Sequence, residues 1–303
     1  MRAAADFAAV LSAAAEALGK DHPLTLQARH GHAHWTGHVG DYQAAISGLE
    51  SLLIVQQRVC GPDHPDTLMT RGNLAHWRAE SGDYEGAASA MDEVIRDRLR
   101  VLGPDHPRTL IARLSAAFWR SRGVNRAAGF AEMEGLLGEY VRALGSDHPL
   151  VFMTRCNLAH WRGESGDRTG ARDAFESLLA DRVRVLGPYH PRTLHTRLHL
   201  AHWVGETERP ERALAALSEL AADQSRILEP DHPDIMRTMA SMANWRARTG
   251  DVTGAVEELR SLLEHQIRTL NDSHADVRAT REMLAHWQGR LERVGRPQFG
   301  HVE

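Results

Sequence analysis

The sequence predicts an all-α protein, a right-handed solenoid of tandem helix-turn-helix hairpins, and three repeated columns of residues support this fold class. The seven tryptophans are spaced 42 residues apart, from Trp35 to Trp287. An alanine lies two positions before each tryptophan, and a histidine recurs with the same step from His22 to His274. A fixed period of this kind is typical of a repeat protein, in which each unit packs on its neighbours.

The second repeat, residues 63–104, shows how each unit is expected to fold. Pro65 suits the first position of a helix, where its missing N–H costs no hydrogen bond. Apolar residues then follow at helical spacing until Gly82, which ends the first helix, and Asp83 can cap the second. Gly103 closes the second helix. The pattern therefore predicts two helices joined by tight turns, and no strand-like alternation competes with it.

The same unit recurs six times between two half-units, which predicts a single solenoid domain over residues 1–292. The six repeats are residues 21–62, 63–104, 105–146, 147–188, 189–230 and 231–272. Residues 1–20 are expected to supply a second helix without its first, and residues 273–292 a first helix without its second. Residues 293–303 have no periodicity and are expected to form a flexible tail.

The segment NLAHW…GDYEGA resembles the tetratricopeptide repeat, with Leu74, Ala75, Gly82, Tyr84 and Ala87 at the signature positions. The two alanines belong to columns of small residues, which let the helices of one hairpin approach closely. The 42-residue period and the motif LGPDHPxTL resemble more narrowly the kinesin-light-chain type of this repeat, which is common in bacterial proteins, and we expect an actinobacterial-like source. The resemblance covers nearly the whole chain and implies a binding scaffold.

This resemblance also implies that the first helices line a concave groove, with the positions of Met69, Asn73 and His76 facing it. An asparagine amide there can satisfy a peptide bond, because it offers both a donor and an acceptor. The residues expected to bind a ligand or partner are His34, Asn73, His76, Phe118, Asn157, His160, His195, His199, His202, Asn244 and His286.

Two further columns of the first helices have more than one interpretation. Small residues recur at Gly37, Ala79, Ser121, Gly163, Gly205, Ala247 and Gly289. They either leave the groove floor open for a ligand or permit tight contact between helices. Arginines stand where the family has leucine or tyrosine, at Arg71, Arg113, Arg155 and Arg197 and at Arg78, Arg120, Arg162 and Arg246. We expect these guanidinium groups to stack on the tryptophans.

Nineteen histidines are many for this length, and seven of them are expected to be helix-boundary residues in the repeated turn. Two groups remain, each on one helical face: His195, His199 and His202, and His30, His34 and His38. Histidines four residues apart can chelate Zn²⁺, Ni²⁺ or Cu²⁺. No carboxylate or thiolate lies at ligand spacing beside them, so no metal is assigned. A polar groove or a pH response are the other interpretations.

Several function classes have little support in the sequence. A net charge of −4 argues against a nucleic-acid surface. No apolar run approaches the roughly 20 residues of a membrane helix. Cys60 and Cys156 lie in unrelated columns, which indicates a reducing, cytoplasmic location. Catalytic motifs are missing, although Cys156 and His160 could form a thiolate pair. No catalytic residue and no cofactor are predicted.

The function predicted from the sequence is therefore a non-catalytic protein–protein interaction scaffold that binds a peptide segment of a partner in the groove. The alternative is a sensor of a small molecule or metal ion that uses the histidines of the concave face. An enzyme built on the repeats is the third possibility. The half-units at both ends also make self-association a hypothesis.

Overall fold

The computed structural model describes residues 2–270, 272 and 274–295, and these residues form helices and turns without any strand. The fourteen helices are α1 Arg2–Leu18, α2 Pro23–His38, α3 Tyr42–Val59, α4 Pro65–Glu80, α5 Tyr84–Leu102, α6 Pro107–Arg122, α7 Arg126–Leu144, α8 Pro149–Glu164, α9 Arg168–Leu186, α10 Pro191–Thr207, α11 Pro210–Ile227, α12 Pro233–Arg248, α13 Val252–Leu270 and α14 Ala275–Gly295. The all-α fold class is confirmed. None of these helices combines the length and the apolar character that crossing a membrane requires.

The chain divides into two compact units, residues 1–154 and 155–303, and the division falls within α8. In the first unit, α2 packs on α3 and α3 packs on α4. In the second unit, α10 packs on α11 and α11 packs on α12 in the same manner. Each unit is thus a run of helical hairpins, as in an α-solenoid. At the C-terminal end, α14 includes residues 293–295, which the sequence pattern assigned to the tail, and the rest of that tail lies outside the described residues.

The repeated histidine of the turn caps the first helix of each repeat. Its Nδ1 accepts a hydrogen bond from the backbone N–H two residues later, at 3.1–3.3 Å, in every one of the seven copies. This contact satisfies one of the free N–H groups that every helix has at its start. The second helices begin in the same way at Asp41, Asp83, Asn125, Asp167 and Asp251. The prediction that the seven turn histidines are boundary residues is confirmed.

The tryptophan ring of one repeat packs against the small residue of the preceding first helix. A Cβ atom built on Gly37 would lie 2.5 Å from the Trp77 ring, and one built on Gly205 would lie 2.5 Å from the Trp245 ring. Such distances are far below van der Waals contact, so the ring occupies the space that a side chain would need. Trp35, in the first of the described first helices, is 38% exposed, whereas Trp245 is 1% exposed.

The same packing is found wherever a tryptophan follows a small residue within one unit. Gly163 meets Trp203, while Ala79 shares a core cluster with Trp119 and Ala247 shares one with Trp287. The small column therefore permits tight helix contact, and the alternative of an open groove floor is wrong at these positions.

The arginines of the first helices pair with carboxylates of the second helices, so the expectation that they stack on tryptophan is wrong. The four pairs within hairpins are Arg71–Asp97 at 2.5 Å, Arg113–Glu139 at 2.6 Å, Arg155–Asp181 at 2.7 Å and Arg197–Asp223 at 2.7 Å. In the other column, Arg78 donates to Glu50, Arg120 donates to Asp92 and Glu132, and Arg246 donates to Asp251 and Glu258. A different arginine, Arg248, lies over the Trp245 ring.

Replacing Gly205 by Ala is expected to lower the free energy of unfolding by about 1–3 kcal/mol, because the new Cβ forces the buried Trp245 ring to shift. Gly289 provides the matched control, since it belongs to the same column and has no neighbouring atom within 4 Å. Gly289→Ala is expected to raise stability by up to about 1 kcal/mol through helix propensity. Urea unfolding of both variants measures the difference, and equal effects would contradict the account.

Candidate functional site

In the column of His76, which stands one position before each tryptophan, histidines pack between the tryptophans of successive repeats. The His76 ring lies 4.7 Å from Trp77 and 6.5 Å from Trp119, measured between ring centroids. His202 lies 4.8 Å from Trp203 and 5.8 Å from Trp245. These rings are half-buried. Much of what made this column a binding candidate is therefore explained by packing.

Other members of this column make related contacts. His34 and His160 also lie beside the tryptophan of the next repeat, at 5.8 Å and 6.3 Å. In the sixth repeat, Oδ1 of Asn244 accepts a hydrogen bond from Nε1 of Trp287 at 3.0 Å. His286 is exposed, with Trp287 as its ring neighbour.

In the first unit, α2 and α4 bring a cluster of imidazoles together with an amide. Nε2 of His30 lies 2.8 Å from Nδ2 of Asn73, and Nε2 of His34 lies 3.1 Å from Nε2 of His38. Asn73 thereby donates to His30, and its Oδ1 has no partner among the described residues. The three histidines do not converge on one point as a ligand set, because His30 is directed toward the amide.

Burial keeps the imidazoles of this cluster neutral. The pKa of His34 is lowered to about 4, mainly by burial and further by the neighbouring imidazoles of His38, His30 and His76. Burial is also the largest cause of the lowered pKa of His30, His38 and His76. A protonated imidazole in this cluster would be poorly solvated, and any second one would also be repelled by the first. The folded state therefore resists protonation.

In the second unit, α8 and α10 bring two of the predicted histidines of α10 together with residues of the preceding first helix. Nε2 of His160 lies 2.9 Å from Nδ1 of His199, and Nε2 of His199 lies 3.3 Å from Nε2 of His195. The ligand atoms of Cys156, His160 and His199 all lie within 4.8 Å of one another. The statement that no thiolate accompanies the histidines is therefore wrong, because Cys156 comes from the neighbouring repeat.

Among the described residues, this Cys–His–His cluster is the only group of three or more possible metal ligands whose ligand atoms lie this close together. His202 does not join it, since its ring lies between two tryptophans. The Phe175 side chain, which is fully buried, stacks on His199 at 5.5 Å and forms one wall of the cluster.

The titration of Cys156 argues against a role as an activated nucleophile. Burial raises the pKa of its thiol, and the guanidinium groups of Arg182 and Arg192 oppose this only in part. A nucleophilic cysteine needs the reverse, a lowered pKa. Burial, together with the imidazoles of His160, His195 and His202, holds the pKa of His199 well below its usual value.

Two predicted residues lie apart from these clusters. Phe118 of α6 is half-buried at the column position of His76. Asn157 of α8 is half-buried and forms no hydrogen bond among the described residues. Both keep side-chain surface available on the first helices of their units.

Sequence reasoning missed a cleft of about 520 Å³ in the sixth repeat, between α12 and α13. It is lined by Met236, Met239, Met242 and His265, among others. Met239 and His265 occupy the positions at which four other repeats have the arginine and the carboxylate of the interhelix ion pair. The sequence shows that Met239 and His265 differ from the arginine and the carboxylate of their columns. This difference points to a cleft only once the ion pairs between those two columns are known.

Lowering the pH from about 7 to about 5 is expected to reduce the free energy of unfolding. In the unfolded chain His34 binds a proton near its ordinary pKa of 6.5, whereas in the folded chain it does so near 4. Stability is therefore complete above pH 6.5 and is lost as the pH falls toward 4, at no more than about 1.4 kcal/mol per pH unit for each such histidine.

The variant His34→Phe tests the assignment, because Phe118 shows that phenylalanine fits this column. Its unfolding free energy is expected to depend less steeply on pH than that of the wild type. The measurement is urea unfolding at several pH values. A slope identical to that of the wild type would show that His34 does not contribute.

Comparison with known proteins agrees with the repeat architecture. Sequence models of the tetratricopeptide repeat match residues 30–98 and 151–192. Among curated protein sequences, no match was found. The nearly identical TPR-like repeats of a putative kinesin light chain from Podospora anserina are 21% identical to this chain, with a TM-score of 0.53, and the match covers 68% of this chain and 98% of that one.

Two further solved structures have the same fold. BtubC (BKLC) from P. vanneervenii is 13% identical, with a TM-score of 0.53 and coverage of 88% of this chain and 95% of that one. A Rap protein complexed with Competence and Sporulation Factor is 9% identical, with a TM-score of 0.63 and coverage of 95% and 81%. Together with the 42-residue columns and the hairpins, these matches show that the chain has the fold of a tetratricopeptide-repeat solenoid, and two stretches of it match the sequence models of that repeat.

Proposed function

We propose that this chain is a non-catalytic interaction scaffold, which binds an extended segment of a partner protein along its first helices. The observation that carries the proposal is a row of incompletely covered side chains on α4 and α6. Met69, Asn73 and His76 of α4 are half-buried, and Phe118 of α6 is half-buried in the column of His76. Ile111, which is 43% exposed, extends the row on α6.

The chemistry of this row suits an extended peptide. Asn73 keeps an unpaired Oδ1 that can accept a hydrogen bond from a peptide N–H, because its Nδ2 is already directed to His30. Met69, Ile111 and Phe118 offer apolar surface for side chains of the partner, and methionine adapts to irregular shapes. Main-chain hydrogen bonds with a few apolar pockets are a recurring mode of peptide recognition.

Rigidity supports the same function. Trp77 and Trp119 are buried beneath the row and hold α4 and α6 in register with their neighbours. A preformed surface loses little conformational entropy on binding. The solved Rap protein with a bound Competence and Sporulation Factor has this fold and supplies a precedent for ligand binding on it.

The non-catalytic part of the proposal rests on the titratable groups. The buried thiol of Cys156 has a raised pKa, and the clustered imidazoles have lowered ones. Asp66, Glu80 and Asp234 act electrostatically on His30, His38 and His195, but none of these three carboxylates hydrogen-bonds to its imidazole as an orienting partner among the described residues. Acyl or phosphoryl transfer needs such an arrangement.

A library of displayed peptides selected on the purified protein tests the proposal. Selected peptides are expected to bind at least about tenfold more weakly to the double variant Asn73→Ser, Phe118→His, a loss of about 1.4 kcal/mol. Both substitutions occur naturally in the same columns, at Ser115 and at His76, so the fold is expected to tolerate them.

The matched control is Ile54→Ala on the second helix α3, where the side chain is 69% exposed. This variant is expected to bind the selected peptides as the wild type does in titration calorimetry. Peptides that bind the double variant with unchanged affinity, or a failure to select any peptide, would contradict a peptide-binding row on α4 and α6.

A further inference from the structure

We propose that Cys156, His160 and His199 form a binding site for a Zn²⁺ ion in the second unit, with His195 as an outer partner of His199. This site is independent of the peptide-binding row proposed for α4 and α6. Its three ligands come from two successive first helices, α8 and α10, so a bound ion would tie neighbouring repeats together.

The positions of the ligand atoms carry the proposal. All three lie within 4.8 Å of one another, and the facing nitrogens of His160 and His199 are 2.9 Å apart. Zinc bonds of about 2.3 Å to sulfur and about 2.0 Å to nitrogen place tetrahedral ligands about 3.3–3.6 Å from each other. Small rotations of these side chains therefore suffice to enclose an ion.

The repeat itself indicates that these residues are not needed for packing. The column of Cys156 contains His30, Gly72, Leu114, Leu198, Ala240 and Glu282, and the column of His199 contains Gly31, Asn73, Ser115, Asn157, Ser241 and Met283. Every other repeat thus forms without a cysteine in the first column or a histidine in the second. Both departures fall in successive repeats, at positions that meet in space beside His160.

The equivalent place in the first unit makes a useful comparison. There, His30 and His34 correspond to Cys156 and His160, and Asn73 corresponds to His199. The first unit closes this place with a hydrogen bond from Asn73 to His30. The second unit instead has a thiol and two imidazoles, which are the donors that zinc prefers.

Cys156 can supply a thiolate ligand to a bound cation. Cys156 is buried, and as a thiol it has no hydrogen-bond partner among the described residues. Binding would release the thiol proton to solvent and leave a thiolate whose charge offsets that of the ion.

His195 completes the arrangement as an outer partner. Its Nε2 lies 3.3 Å from Nε2 of His199, so it can accept the proton that His199 carries there when Nδ1 binds the ion. Such a contact fixes the tautomer and the ring orientation of a metal-binding histidine. With three protein ligands, the fourth position of the ion stays open to water or to a small ligand.

Titration of the purified full-length chain with Co²⁺, a spectroscopic substitute for Zn²⁺, tests the site. One equivalent is expected to produce a thiolate-to-cobalt charge-transfer band, and added Zn²⁺ is expected to abolish it. Cys156→Ala, which matches Ala240 of the same column, is expected to remove the band, whereas Cys60→Ala is expected to leave it unchanged. Loss of the band in the Cys60 variant alone would overturn the assignment.

Affinities for Zn²⁺ separate ligands from partners. His199→Ser, which matches Ser115 and Ser241, is expected to weaken binding more than the roughly 10–100-fold expected for His195→Gln as an outer partner. Zn²⁺ is also expected to raise the melting temperature of the wild type but not of His199→Ser. Absence of stoichiometric binding to the wild type, or unchanged affinity in both Cys156→Ala and His199→Ser, would overturn the proposal without affecting the proposed peptide-binding row.

Discussion

The contact between a tryptophan ring and the small residue of the preceding first helix in the same unit is the constraint on which each unit depends. The ring fills space that a Cβ at Gly37, Gly163 or Gly205 would otherwise occupy. This contact sets the separation of successive first helices, because neither helix can move closer or slide without a clash. The half-buried histidines between the rings follow from it, since a side chain in that column has one tryptophan on each side. A helical row with fixed spacing is what an extended ligand requires.

The histidines of this chain therefore have three different roles. Those of the turn accept a backbone hydrogen bond and begin a helix. Those in the column of His76, other than the exposed His286, pack beside tryptophans, as His76 does between Trp77 and Trp119. Histidines outside these columns, such as His30, His195 and His199, make contacts that the repeat does not require, and His160 reaches His199 from its column. A high histidine content is thus weak evidence for a metal or a pH response, whereas a departure from a column is stronger evidence.

Much of the fold followed from the sequence, because period, proline and glycine positions and capping residues all act over short distances. The boundaries of α4 and α5 agree with Pro65, Gly82 and Gly103. The site was harder to predict, since its contacts join residues of different repeats. The spacing rule within one helix grouped His202 with His195 and His199, whereas in the structure the His202 ring packs against Trp245. The same rule overlooked Cys156, which reaches His199 from another helix. Likewise, the arginines were expected to stack on tryptophan. The carboxylates that pair with them lie on the other helix of the hairpin, so the spacing within one helix could not reveal these ion pairs.

Residues that recur in the columns hold the fold together, and Cys156, His195 and His199, which depart from their columns, are not needed for packing. This distinction is tested most directly by the unfolding free energy, in metal-free buffer, of a variant that removes the departures of the second unit: Cys156→Ala, His195→Met and His199→Asn. Each new residue is taken from the same column in another repeat, at Ala240, Met69 and Asn73. We expect a stability equal to or greater than that of the wild type, because buried imidazoles are replaced by residues that the repeat already accommodates. A loss of several kcal/mol, of the size expected for a core residue, would contradict it and would show that the cluster is part of the packing.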